Sequence, residues 1–191
     1  RPAPSCPSRR SGAASGGGQP GAASLARYLR GRGGGFPVYG NTAVTYFNGG
    51  EAKFAELLRQ LETAEHYIFL EYFIIDEGLM WGRILEVLAR KAAGGVDVRV
   101  MYDGTCEFST LPRDYPKRLE ALGIRCKVFA PVTPFVSTHY NYRDHRKILI
   151  IDGRVGFTGG VNLADDTSTM WRNTAAGRMP PSCWRAKACA P

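Results

Sequence analysis

Between His145 and Asn162 the chain gathers an imidazole, an ammonium, a carboxylate, two adjacent glycines and an amide: His145, Lys147, Asp152, Gly159, Gly160 and Asn162. Side chains at alternate positions of a strand share a face, so His145 and Lys147 are expected to project together. A neutral imidazole can attack phosphorus, and a fixed cation beside it neutralises the charge that builds on the phosphoryl oxygens. Gly159 and Gly160 let backbone come close to an anion, and the Asn162 amide can donate a hydrogen bond to it. The set reads as a phosphoryl-handling site. Asp152 belongs to it or, at a tight turn, sets the loop. Glu71 lies inside an apolar run, where an unpaired carboxylate is costly. It therefore has a partner in or near the site, or ends a strand and reaches solvent. Arg143 and Asp144 form a loop ion pair or touch substrate. His66 and His139 have no partner spacing and read as surface residues.

These residues need elements to carry them. Phe54, Leu57, Leu58 and Leu61 recur at helical spacing, which predicts an amphipathic helix over 51–65. Tyr67 to Ile75 is a near-continuous apolar strand of the kind buried on both faces. Leu79–Ala93 reads as a second helix, stopped by Gly94-Gly95, and Tyr115–Leu122 as a third. Val96–Tyr102 and Arg125–Phe129 are further core strands. Strand and helix alternate, the grammar of an α/β layer with a largely parallel, mixed sheet flanked by helices. After a Pro-containing loop at 130–138, Lys147–Asp152 and Arg154–Thr158 are joined at Asp152-Gly153, a hairpin signal. A strand or short hairpin is expected between Phe36 and Asn48.

The full spacing H-x-K-x(4)-D-x(6)-G-G-x-N, here His145-Arg-Lys147 through Asp152 and Gly159-Gly160 to Asn162, resembles the phospholipase D superfamily signature. Phe36-Pro-Val-Tyr-Gly-Asn-Thr, Tyr67-Ile-Phe-Leu-Glu-Tyr-Phe-Ile-Ile75, Val98-Arg-Val-Met-Tyr-Asp-Gly104 and Arg143-Asp-His-Arg-Lys147 are similar to the first catalytic half of bacterial cardiolipin synthases. That resemblance implies a phospholipase D-like layered α/β domain over 36–166. It also implies transfer of a phosphatidyl group between two phosphatidylglycerols through a phosphohistidine, with release of glycerol and without metal or cofactor. Carried over by position, His145 is the nucleophile, and Lys147 and Asn162 hold the phosphate with Gly159 and Gly160. Asp152 is grouped with the catalytic residues, and Glu71 supports them. The implied partners are phosphatidylglycerol and other anionic phospholipid, and the implied location is the bacterial cell membrane, with the catalytic part peripheral to it.

Charge and composition bound the alternatives. The formal net charge is +8, but residues 1–35 hold six Arg and no acid, and 167–191 hold four basic residues and no acid. Residues 36–166 carry 15 basic and 17 acidic residues, so the globular part does not support nucleic-acid binding. Five cysteines without a C-x-x-C pair indicate neither a zinc site nor a disulfide framework. No apolar run approaches the roughly 18 to 20 residues of a membrane span. Residues 1–35, rich in Arg, Gly and Pro, read as mostly disordered, with a helical turn around Ala23–Leu29.

Beyond Asp166 neither helical nor strand periodicity persists. A codon choice compatible with Thr167 to Ala186, read one base earlier, can encode Y-I-N-N-V-E-E-H-G-R-W-K-D, close to how the family continues. Residues 167–191 are therefore expected to be a frameshifted tail. Family members carry two such signatures, and the chain has one, so it is expected to be a fragment inactive alone. The alternatives are a single-motif phosphodiesterase or nuclease completed by homodimerisation, and a non-catalytic binding module that kept the motif.

Overall fold

The computed structural model describes residues 21–31, 41–132 and 142–165, and the backbone of 183–187. The chain divides into two units, 1–42 and 43–191. In the first, Ala22–Gly31 forms helix α1, longer than the turn expected from the sequence, with Leu25, Tyr28 and Leu29 exposed. The remainder of 1–35 lies outside the described residues.

The second unit is an α/β layer. In chain order it comprises β1 (Ala43–Phe47), α2 (Gly50–Leu61), β2 (Tyr67–Tyr72), α3 (Leu79–Ala93), β3 (Asp97–Asp103), α4 (Cys106–Ser109) and α5 (Tyr115–Ala121). There follow β4 (Arg125–Phe129), β5 (Lys147–Ile151), β6 (Val155–Gly159) and β7 (Cys183–Lys187). The strands form one mixed sheet in the order β1-β7-β6-β5-β2-β3-β4. The strand and helix alternation read from the sequence produces the parallel part, β2-β3-β4. The Asp152-Gly153 hairpin adds β5 and β6 antiparallel, and β7 and β1 extend the sheet antiparallel beyond them.

Alternation along the strands sorts the sheet into two faces. Ile68, Leu70 and Tyr72 of β2, Val98, Val100 and Tyr102 of β3, and Leu149 and Ile151 of β5 are buried in the core. They share it with Leu57 and Leu61 of α2, Trp81, Ile84 and Leu88 of α3, and Tyr115 and Leu119 of α5. The periodic apolar stripes of these helices cover this face of the sheet. The Trp81 indole N–H donates to the Tyr115 hydroxyl inside that core, which satisfies the polar end of each ring. Along the opposite face Tyr67, Phe69, Glu71, Ile148 and Ile150 are half-buried.

Three sequence readings are corrected. The apolar run Tyr67–Ile75 is not one strand: the ladder ends at Tyr72, and Ile75 bridges instead to Leu163. Apolar character alone does not show where pairing partners run out. The stretch after Asp166 shows neither period, yet Cys183–Lys187 forms β7 between β1 and β6. Five residues between two existing edges need only backbone pairing, which leaves little sequence pattern. His145 does not lie on a strand but immediately before β5, which starts at Lys147.

Candidate functional site

The site is assembled where β2 and β5 run side by side. Tyr72 pairs with Lys147, so the residue leaving β2, Phe73, meets the residues entering β5. The His145 ring lies 4.6 Å from the Phe73 ring at 52°, and the Lys147 ammonium sits 5.0 Å from the same ring's centroid. Lys147 Nζ also donates to the His145 carbonyl at 2.8 Å. His145 is exposed, whereas Lys147 is only 3% exposed. Burial pushes the Lys147 ammonium below its ordinary pKa, and the Asp144 carboxylate opposes that shift. A cation in such a dry position acts on an adjacent anion more strongly than a solvated one.

Asn162 joins them through the backbone. Its Oδ1 accepts from the N–H of Ile74, next to Phe73, at 3.2 Å, and the residue is 6% exposed. Leu163 N–H donates to the Ile74 carbonyl, and Asp76 N–H to the Leu163 carbonyl, so the segment after β6 is strapped to the end of β2. A narrow crevice of about 10 Å³, room for no more than a water molecule, lies beside Asn162, lined also by Lys53, Phe54, Tyr72, Met80 and Val161. Gly159 has a φ of +153°, which a side chain rarely adopts. At Gly160 no atom of the described chain would obstruct a Cβ.

His145, Lys147, Asn162, Gly159 and Gly160 are thus gathered near one end of β5 and β6. Asp152 is not, and its grouping with the catalytic residues is corrected. It lies at the other end of β5, and a five-residue strand spans about 17 Å. Its buried carboxylate accepts from the N–H groups of Glu65, His66 and Tyr67 at 2.8–2.9 Å and pairs with Arg154 at 3.0 Å. Burial works against its charge, but these donors outweigh it and hold the carboxyl at about 2. Asp152 ties the hairpin to the start of β2.

Glu71 has the partner expected of it. Its Oε1 lies 2.7 Å from Arg146 Nη2. Arg146 in turn donates Nε and Nη2 to Asp144 at 2.8 and 3.0 Å. Burial, and then the neighbouring Asp144, raise the Glu71 carboxyl to about 7 against the pull of Arg146. Arg146 holds Asp144 well below the usual carboxylate range. Arg143, read as either an ion pair or a substrate contact, pairs with the fully buried Asp103 at 3.3 Å and donates to the Ala130 carbonyl at 2.9 Å.

Sequence reasoning missed Phe73 and Asp103. The signal available for Phe73 was an aromatic at the end of an apolar strand, which is indistinguishable from core. Asp103 follows an apolar strand just before Gly104, a turn-like signal. His66 is exposed, as expected, and His139 lies outside the described residues. Among the described residues no group of three His, Cys, Asp or Glu is placed to hold a metal.

The layered fold recurs in solved structures. NucT from Helicobacter pylori aligns at a TM-score of 0.53 and 12% identity, covering 78% of this chain and 85% of that one. Phosphatidylserine synthase from Haemophilus influenzae aligns at 0.55 and 9%, covering 76% and 33%. Fold and family model together define a phospholipase D-like domain, here an α/β layer with a histidine, lysine and asparagine gathered at the end of a hairpin. The chain belongs to the family described as "Cardiolipin synthase, PLD-like domain", whose model matches residues 57–174. It is 39% identical over 131 residues to a cardiolipin synthase of Halalkalibacterium halodurans, covering 68% of this chain and 26% of the relative. An uncharacterized protein of Streptococcus mutans is 61% identical over 158 residues, covering 80% and 34%. The chain therefore spans between a quarter and a third of the length of these relatives.

Proposed function

We propose that the chain is the nucleophile-bearing half of a phosphatidyltransferase that makes cardiolipin and glycerol from two phosphatidylglycerols. The observation that supports this most directly is the meeting of His145 and Lys147 on Phe73, with Asn162 fixed one residue away, in a member of this family. An imidazole nitrogen of His145 attacks phosphorus. The bond to the glycerol oxygen breaks, and that oxygen leaves with a proton. Lys147 and Asn162, with backbone at Gly159 and Gly160, hold the phosphoryl oxygens as charge builds on them. The primary hydroxyl of a second phosphatidylglycerol then loses a proton and attacks phosphorus, which frees His145.

The acid and base for these steps come from outside the described residues, since no second H-x-K occurs in the chain. In the parent polypeptide a second half supplies them, and the 191-residue chain does not turn over by itself. The substrate surface is anionic phospholipid. Helix α1, with exposed Leu25, Tyr28 and Leu29 and with Arg27 and Arg30, is suited to lie on such a surface.

The test is phosphatidylglycerol turnover by the complete polypeptide that carries this sequence. The expected outcome is cardiolipin and glycerol in equal amounts, reduced at least about a thousandfold by His145→Ala. Undiminished cardiolipin from His145→Ala rules the reading out. Turnover by the 191-residue chain alone, sedimenting as a dimer, instead favours a single-motif enzyme completed by its own second copy.

A further inference from the structure

The residues on either side of His145 are held by two carboxylates from neighbouring strands. On one side, Asp103 at the end of β3 has a fully buried side chain. Its Oδ1 accepts from Thr105 N–H at 2.9 Å and from Arg143 Nη1 at 3.3 Å, and its Oδ2 accepts from Asp144 N–H at 3.2 Å. On the other side, the Asp144 carboxylate accepts from Arg146 N–H at 3.1 Å and from the Arg146 guanidinium, whose Nη2 reaches Glu71 of β2. Arg143, Asp144 and Arg146 are thus each fixed. The residue they bracket has its carbonyl held by Lys147 and its ring against Phe73. Among the described residues nothing hydrogen-bonds the imidazole nitrogens. Among the described residues the polar contacts thus fall on the segment around the nucleophile, and its ring is held by the contact with Phe73.

We propose that Glu71 and Asp103 are positioning residues for the transfer reaction, gripping Arg146 and Arg143 so that the His145 ring is held on Phe73 within reach of a phosphate on Lys147. This rests on the reading of His145 as nucleophile. The segment before β5 is not part of the sheet ladder, so its path is set by side-chain contacts, of which those through Asp103 and Glu71 reach it from β3 and β2. A reacting atom displaced by about 1 Å costs on the order of a hundredfold in rate.

The grip through Glu71 is the contact of its carboxylate with Arg146 Nη2 at 2.7 Å. The charged groups facing Glu71 are Asp144 and Arg146 from the segment before β5. Its register partners on β3 and β5 are the uncharged Met101 and Ile148. The diagonal positions on β3 hold Arg99, paired with Asp97, and Asp103, paired with Arg143.

The experiment measures kcat and KM for phosphatidylglycerol between pH 6 and 9 in the complete polypeptide and its Arg146→Ala, Glu71→Gln and Asp103→Asn variants. Glu62→Gln, an exposed partner of Arg90, is the control expected to leave turnover unchanged. Arg146→Ala and Asp103→Asn are expected to lower kcat by about tenfold to a hundredfold with KM within about twofold. Glu71→Gln, which removes the carboxylate that Arg146 Nη2 reaches, is expected to lower kcat in the same direction with KM little changed. Unchanged kcat in Glu71→Gln and Asp103→Asn, or losses confined to KM or to unfolding temperature, overturns the proposal. Because the wild type and His145→Ala are assayed alongside, that failure stays distinct from failure of the transferase reading, which appears as no cardiolipin from the wild type.

Discussion

Asp152 sits at a φ of +49° at the tip of the β5–β6 hairpin, with its carboxylate turned onto the first N–H groups of β2. In the sequence it completes the H-x-K-x(4)-D spacing, and that spacing alone does not show that five strand residues separate it from Lys147. The structure gives it a folding task, with a consequence for pH. Its folded pKa of about 2 is depressed below the ordinary Asp value of about 4. The stability it contributes is therefore present above about pH 4 and is lost as pH falls toward 2. Asp152→Asn tolerates the left-handed backbone but loses the charge, and is expected to destabilise by about 2 kcal/mol at pH 7. In urea unfolding its deficit should shrink between pH 4 and pH 2, while turnover per folded molecule of the parent is preserved. A deficit that is constant with pH contradicts this account. At the same scale the motif's spacing made His145, Lys147 and Asn162 legible, although His145 stands ahead of β5 and meets Lys147 at the Phe73 ring and not by strand alternation. Phe73 was hidden because an aromatic that leaves a strand is written like one that stays. The grip on Arg143 and Arg146 joins residues up to 75 positions apart, which spacing within one segment does not report.

The elements themselves were readable where period and length agreed. Leu79–Ala93 and Arg125–Phe129 have the bounds expected from apolar spacing and the following glycines or loop. The 51–65 helix stops at Leu61, and β2 stops at Tyr72, because tertiary contacts decide both ends. The start of α3 shows such a contact. Gly78 is extended and offers no capping side chain, and Asp165, 86 residues from Leu79, accepts from the N–H groups of Leu79 and Met80 at 2.8 and 2.9 Å. A carboxylate there also opposes the positive end of the helix dipole. The cap fits only because position 78 has no side chain, since a Cβ would lie 2.5 Å from Asp165 Oδ2. Asp165→Ala is expected to cost about 1 kcal/mol. Gly78→Ala displaces the same carboxylate and should cost a similar amount, so the double variant should fall short of the sum of the two. Additive losses in equilibrium unfolding would mean that the cap and the glycine act independently. Because Asn162 and Asp165 belong to one strapped segment, loosening the cap is also expected to blunt turnover in the parent.

At the scale of the whole chain, charge and apolar surface are separated along the sequence. Residues 36–166 carry two more acids than bases, while residues 1–35 hold six Arg and no acid. The proposed phospholipid site thus sits in a slightly acidic domain, whose only buried cations among the described residues are Lys147 and Lys53. Attraction to an anionic surface must therefore come from outside the catalytic layer. Arginines near such a surface contribute about 1 kcal/mol each, and α1 adds the exposed Leu25, Tyr28 and Leu29. The half-buried sheet face of Tyr67, Phe69, Ile148 and Ile150 is a competing route to lipid, through apolar contact alone. The two routes respond to salt in opposite ways. Surface electrostatics are screened as ionic strength rises, whereas apolar burial is not weakened. The 191-residue chain is expected to cosediment with phosphatidylglycerol vesicles, to be released between about 0.05 and 0.5 M salt, and to ignore phosphatidylcholine vesicles. Deleting residues 1–35 should remove the salt-sensitive part of the binding. Equal binding to phosphatidylcholine, or indifference to salt, would place the contact on the sheet face and leave the arginines without a part in it.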